Sequence, residues 1–88
     1  MIVASQNGHV AMAKTLLDAG ADLNAKDKDG VTALIVATWN RHIAVVKTLL
    51  DAGANVNAED GNGVTALIVA SWNRHIAVVK TLLDAGRR

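Results

Sequence analysis

Three histidines, His9, His42 and His75, return at a constant interval of 33 residues. Evenly spaced imidazoles raise the question of zinc, whose usual protein ligands are histidine nitrogen and cysteine thiolate. The interval answers it. In a chain of stacked helical units, equivalent side chains stand roughly 10 Å apart, the distance between packed helices. An ion held by bonds of about 2 Å does not span that gap. Cysteine is absent, which removes thiolate ligands and disulfides together. Each histidine therefore reads as a brace for the turn in which it stands.

Other apparent chemistry thins out in the same way. Gly61-Asn62-Gly63-Val64-Thr65-Ala66 spells G-x-G-x-x-A ahead of a helical stretch, but that fingerprint binds a dinucleotide only when a strand of a βαβ unit precedes it. The residues before it are rich in Ala and Asn, and the equivalent Lys28-Asp29-Gly30 lacks the first glycine. The segment reads as a turn. Asp27-Lys28-Asp29-Gly30 opens like a calcium loop without the bidentate glutamate that completes one. No phosphate loop, nucleophile–base pair or paired catalytic carboxylates stand out. The expectation is a protein that is not an enzyme, with no metal and no cofactor. Trp39 and Trp72 are the only aromatic residues. Tryptophan is enriched in binding hot spots, and it also packs well over alanine-rich helices. Both readings remain open at this point.

The elements that must position these residues are written twice. Residues 30–53 return as residues 63–86, with Thr38 replaced by Ser71 as the only change. A looser copy precedes them, in Ala4-Ser5-Gln6-Asn7-Gly8-His9-Val10 and again from Lys14 to Gly20. A fixed period of about 20–50 residues marks a stacked repeat architecture. Within the middle copy, the Thr32 hydroxyl is placed to cap a helix over residues 33–40. Arg41 and His42 make a tight turn. A second helix spans 43–52, with Val46, Leu49 and Leu50 at helical spacing, and Gly53 ends it by reaching the left-handed region. The Asn-, Asp- and Gly-rich run 54–63 reads as an extended stretch and a tight turn, in which Asn57 and its counterpart Asn24 bond neighbouring backbone.

This unit resembles the ankyrin repeat, a β-turn followed by two antiparallel helices with a signature near T-P-L-H-x-A. Thr32-Ala33-Leu34-Ile35-Val36-Ala37 and Thr65-Ala66-Leu67-Ile68-Val69-Ala70 match that signature. Asn40-Arg41-His42 resembles the family's helix-joining Asn-Gly-His, and Leu49-Leu50 with Gly53-Ala54-Asn55-Val56-Asn57-Ala58 its helix-to-hairpin segment. The resemblance covers the whole chain. It implies an all-α-dominated solenoid of helix-turn-helix units joined by hairpin-like loops, with repeats at 1–29 (truncated), 30–62 and 63–88. Ala33 and Ala66 depart from the family's proline, and Ile35 and Ile68 from its histidine. Arg41 and Arg74 depart from its glycine; in a left-handed backbone each costs roughly 1 kcal/mol.

The resemblance also implies a non-enzymatic protein–protein interaction module. Its concave groove would present Trp39, Asn40, Arg41, Trp72, Asn73 and Arg74, and its loop tips Lys28, Asp29, Gly61 and Asn62. The alternative is an engineered or structural repeat scaffold without a natural ligand, because the groove residues are duplicated along with the framework. Met1 falls at the position of Leu34, and Ile76, Val79, Leu82 and Leu83 repeat the pattern that Ile43, Val46, Leu49 and Leu50 present to a following unit. Uncapped terminal repeats of this kind imply an engineered protein or an excised fragment, and self-association as a homodimer or end-to-end oligomer.

Composition is consistent with thin layers. Hydrophobic residues make up 51% of the chain and aromatics 2%, so small aliphatic side chains must do the packing. Nine basic and eight acidic residues leave a net charge of +1, without the basic stripe that nucleic acid needs. The longest apolar run, 31–39, is about half a membrane span and is interrupted by Thr32. No signal-peptide pattern opens the chain. With no cysteine, the expectation is a cytoplasmic protein, partnered by neither nucleic acid nor membrane.

Overall fold

A computed structural model describes residues 1–87, except for the side chains of Val3 and Gln6; Arg88 lies outside the described residues. Among the described residues six helices follow one another: α1 (Ile2–Gln6), α2 (Val10–Asp18), α3 (Ala33–Trp39), α4 (Ile43–Asp51), α5 (Ala66–Trp72) and α6 (Ile76–Gly86). They pack in two rows. The short helices α1, α3 and α5 touch in sequence along one row, and α2, α4 and α6 along the other. Each short helix also packs on the long helix that follows it. Among the described residues no strand forms.

Local chemistry sets the helix starts. Thr32 Oγ1 accepts the Ile35 N–H and Thr65 Oγ1 the Ile68 N–H, both at 3.3 Å, which satisfies one of the orphan donors of each first turn. The helix ends are set just as locally. Arg41 and Arg74 have φ of 61° and 53°, like Gly8 at 71°, so both arginines take the left-handed backbone of the glycine that they replace. The Arg41 N–H donates to Thr38 O and the His42 N–H to Ala37 O, at 3.1 and 2.9 Å. This pair of bonds is the Schellman closure of a helix. Gly53, at φ 96°, closes α4 in the same way, with the Ala54 N–H donating to Leu49 O at 2.9 Å.

Gly86 behaves differently from its copy. It forms the last residue of α6, and Arg87 continues in the right-handed region with its N–H on Asp84 O at 3.3 Å. In the earlier units the residue after the glycine turns back towards the helix, whereas here the backbone keeps its helical course. Asp84 is then within 3.3 Å of Arg87, with which it forms an exposed ion pair.

The connecting segments are hairpins organised by one carboxylate each. Asp27 Oδ1 accepts the N–H groups of Asp29 and Val31, both at 2.9 Å. Asp60 Oδ1 accepts those of Asn62 and Val64, at 2.8 and 3.0 Å. Neighbouring hairpins are stitched together by the Gly61 N–H on Asp29 O at 2.8 Å, the Lys26 ammonium on Glu59 O at 3.0 Å, and the Asn55 N–H on Asn24 Oδ1 at 2.8 Å. The approach is close: a Cβ at Gly30 would stand 2.8 Å from the Gly61 nitrogen. Asn24 thus has its expected role. Asn57 contributes its backbone N–H to Asn55 Oδ1 instead, at 3.0 Å.

The core lies between the rows and between the units. Ala37, Val45, Val46, Leu49, Val69, Ala70, Val78 and Leu82 are buried there. Each fully buried Val or Leu stabilises the fold by about 1.5–3 kcal/mol. Alanines at 37 and 70 let the short helices approach closely. Leu82 is part of this core and not of an outer face. Its expected place on the surface offered to a further unit was wrong, because it turns inward into the buried core, as Leu49 does.

Candidate functional site

A groove of about 580 Å³ runs along the inner row, between α3 and α5 on one side and the two hairpins on the other. Trp39 and Trp72, the last residues of α3 and α5, line it. Each sits just after a small hydroxyl residue that turns back onto its own helix: Thr38 Oγ1 donates to Leu34 O at 2.8 Å and Ser71 Oγ to Leu67 O at 2.9 Å. The indoles are left 57% and 61% exposed. They line a groove and keep more than half their surface open to water. Beneath them Ile35, Val36, Val64 and Val69 provide an apolar floor, while Asn40, Asn62, Asp27 and Asp60 supply polar groups.

The turn residues beside the indoles divide. Asn40 Nδ2 donates to Val36 O within its own helix at 3.1 Å. Asn73 Nδ2 donates to Trp39 O at 3.3 Å, and Arg41 Nη2 to Asn73 O at 3.0 Å. Arg41 and Asn73 therefore join one repeat to the next. Arg74, the copy of Arg41, is exposed. Lys28, Asp29 and Gly61 line a separate depression of about 560 Å³ over the hairpin tips, shared with the groove only through Asp27, Asp60 and Asn62. Of the ten residues expected in the groove and at the loop tips, Trp39, Asn40, Asn62 and Trp72 line the groove, Arg41 and Asn73 form a seam, Lys28, Asp29 and Gly61 stand at the tip, and Arg74 lies outside all three.

Asp27 and Asp60 entered the groove unannounced. Sequence alone shows them as turn carboxylates, and the 33-residue period pairs them, but only the curl of each hairpin towards the short helices brings them beside the tryptophans. The histidines stay apart. The His42 ring packs against Gly8, where a Cβ would come within 2.8 Å of its Nδ1. Among the described residues no three His, Asp or Glu side chains gather to hold a metal ion, and no helix is long and apolar enough to cross a membrane.

Comparison with known proteins bears on the whole chain. A family model described as ankyrin repeats (3 copies) matches residues 1–88. No curated protein matches it.

Proposed function

The chain belongs to the ankyrin repeat family, whose members generally serve as protein–protein interaction modules, and from that premise we propose that it is a non-catalytic binding module whose partner docks along the groove and hairpin tips. The reading divides it into units at 1–29, 30–62 and 63–88. The observation that carries it is the pair of tryptophans, side by side on adjacent helices and more than half exposed. Exposed indoles cost the free protein hydration and return that area to a partner, which is the usual economy of a hot spot. Trp39→Ala with Trp72→Ala is expected to leave the helical circular dichroism and the melting temperature close to unchanged. The double variant should lose proteins that the immobilised parent retains, by about 2 kcal/mol or more of affinity. Equal retention by both would remove the groove from the reading.

A second reading draws on a different face. Ile68, Ile76 and Leu83 are exposed although Ile35 and Leu50, the copies of the first and last, are buried under the third unit. The face that repeat two offers to repeat three is therefore offered again by repeat three, and this apolar face supports self-association with a second copy of the chain. Self-association through it would show as a sedimentation mass that rises with concentration, suppressed by Leu83→Glu. A monomer at high micromolar concentration would remove it.

A further inference from the structure

The groove has a sign. Among the described residues its lining holds two carboxylates, Asp27 and Asp60, and two indoles, with no Lys, Arg or His. Each carboxylate is fixed by two backbone N–H donors on its Oδ1, and among the described residues neither is in an ion pair. Their charge is thus rigidly placed at the edge of a partly apolar cleft, on the side that adjoins the depression lined by Lys26 and Lys28. The indole faces carry negative electrostatic potential from the ring quadrupole. Cations are drawn to such faces, guanidinium most of all because it also stacks as a plane. Val36, Val64 and Val69 below give the aliphatic stem of a long basic side chain an apolar surface to cover.

Geometry then limits the occupant further. Each hairpin and the short helix that follows it supply one station, a carboxylate and an indole, Asp27 with Trp39 and Asp60 with Trp72, and α3 packs directly against α5. Neighbouring helices stand roughly 8–10 Å apart. An extended strand brings residues i and i+2 to one face at about 6.8 Å, which is short. A polyproline II segment returns to the same face every third residue, at about 9.3 Å. We propose that the groove binds a segment of a partner protein that carries two arginines three residues apart in this conformation, one guanidinium at each Trp–Asp station. The proposal rests on the binding-module reading and adds the chemistry of the ligand to it.

The test uses a dye-labelled, capped peptide, Gly-Ser-Arg-Pro-Ala-Arg-Ser-Gly, titrated with the full chain and read by anisotropy. Its controls replace both arginines by citrulline, which keeps the shape and removes the charge, or separate the arginines by one residue. The arginine peptide is expected to bind about tenfold more tightly than either control, as two cation–π contacts would give, and to weaken as salt rises. D27N with D60N should lower affinity about fivefold while keeping both turns, since the amide oxygen still accepts the two N–H groups. W39A with W72A should abolish binding. Equal binding of the citrulline peptide overturns the proposal, and so does the absence of any arginine-peptide binding at millimolar concentration. If the Asn variants misfold by circular dichroism, the citrulline comparison on the parent decides alone. Citrulline binding that still needs the tryptophans would leave the binding-module reading standing without its cation, whereas retention unaffected by the tryptophans counts against that reading itself.

Discussion

Repeats two and three carry the same sequence from the turn before the first helix to the end of the second, apart from Thr38 and Ser71, yet they are not buried alike. Ile35 is 5% exposed and its copy Ile68 37%; Leu50 is 7% exposed and Leu83 42%. Val45 and Val78, Leu49 and Leu82, Ala37 and Ala70 are buried in both. The residues that agree face the preceding unit or the partner helix. Those that differ face the following one. Part of the burial of a unit is thus supplied from outside it, which is why stability in such folds is a sum of unit terms and neighbour terms.

The sharpest way to break this comparison is to truncate the paired leucines. Leu50→Ala is expected to cost about 2–4 kcal/mol, because its neighbours close over it and a cavity remains. Leu83→Ala should cost under about 1 kcal/mol, since much of that side chain already faces water. Urea unfolding of the two variants measures the difference directly. Equal losses would mean that the third unit is covered in solution, which is the outcome expected of a self-associated chain, and dilution would then separate the two values.

The joints between units provide a second comparison of identical parts in different settings. At the first joint Gly8 meets the His42 ring, and at the second Arg41 occupies the glycine position while His75 Nδ1 is buried without a partner. An unsatisfied buried polar atom costs about 1–3 kcal/mol. Gly8→Ala should therefore be destabilising by about 1–2 kcal/mol, from the left-handed backbone and the crowded ring together. A melting temperature unchanged by that substitution would show that the ring moves aside freely.

Much of this was legible in the sequence for reasons that are local. Thr32 and Thr65 cap because a hydroxyl beside a helix start has few other uses, and Gly53 closes α4 because it alone there accepts a positive φ without strain. The duplicated stretch disclosed the stack itself. What escaped were features that depend on where a neighbour lies. Leu82 and Leu83 are adjacent and chemically identical, and only the packed helix decides which one turns inward. Asp27 and Asp60 look like any turn carboxylate until the hairpin curls beside the indoles. Arg41 and Asn73 looked free to meet a partner, but each is held by a carbonyl of the neighbouring unit, Asn73 O for Arg41 and Trp39 O for Asn73. Gly86 looked like Gly53, though the backbone after it takes another course.

The smallest effect expected is also the one that separates strain from function in the arginine turns. Arg41 and Arg74 share a left-handed backbone that costs a non-glycine residue roughly 1 kcal/mol. Glycine at either place removes that strain, so on backbone grounds alone the two substitutions should stabilise equally. Their surroundings differ. Arg41 spends its guanidinium on Asn73 O at 3.0 Å, across the joint, while the exposed Arg74 has no such bond among the described residues. A charge-assisted hydrogen bond is worth about 1.5–3 kcal/mol when buried and much less on an open surface such as this one. Arg74→Gly is therefore expected to raise stability by up to about 1 kcal/mol, and Arg41→Gly to gain less or to lose slightly. Thermal melts of the pair, with Arg41→Lys as a variant that keeps charge but not the planar fork, resolve the order. An Arg41→Gly protein as stabilised as Arg74→Gly would show that the seam bond contributes nothing and that the second arginine is merely a copy of the first.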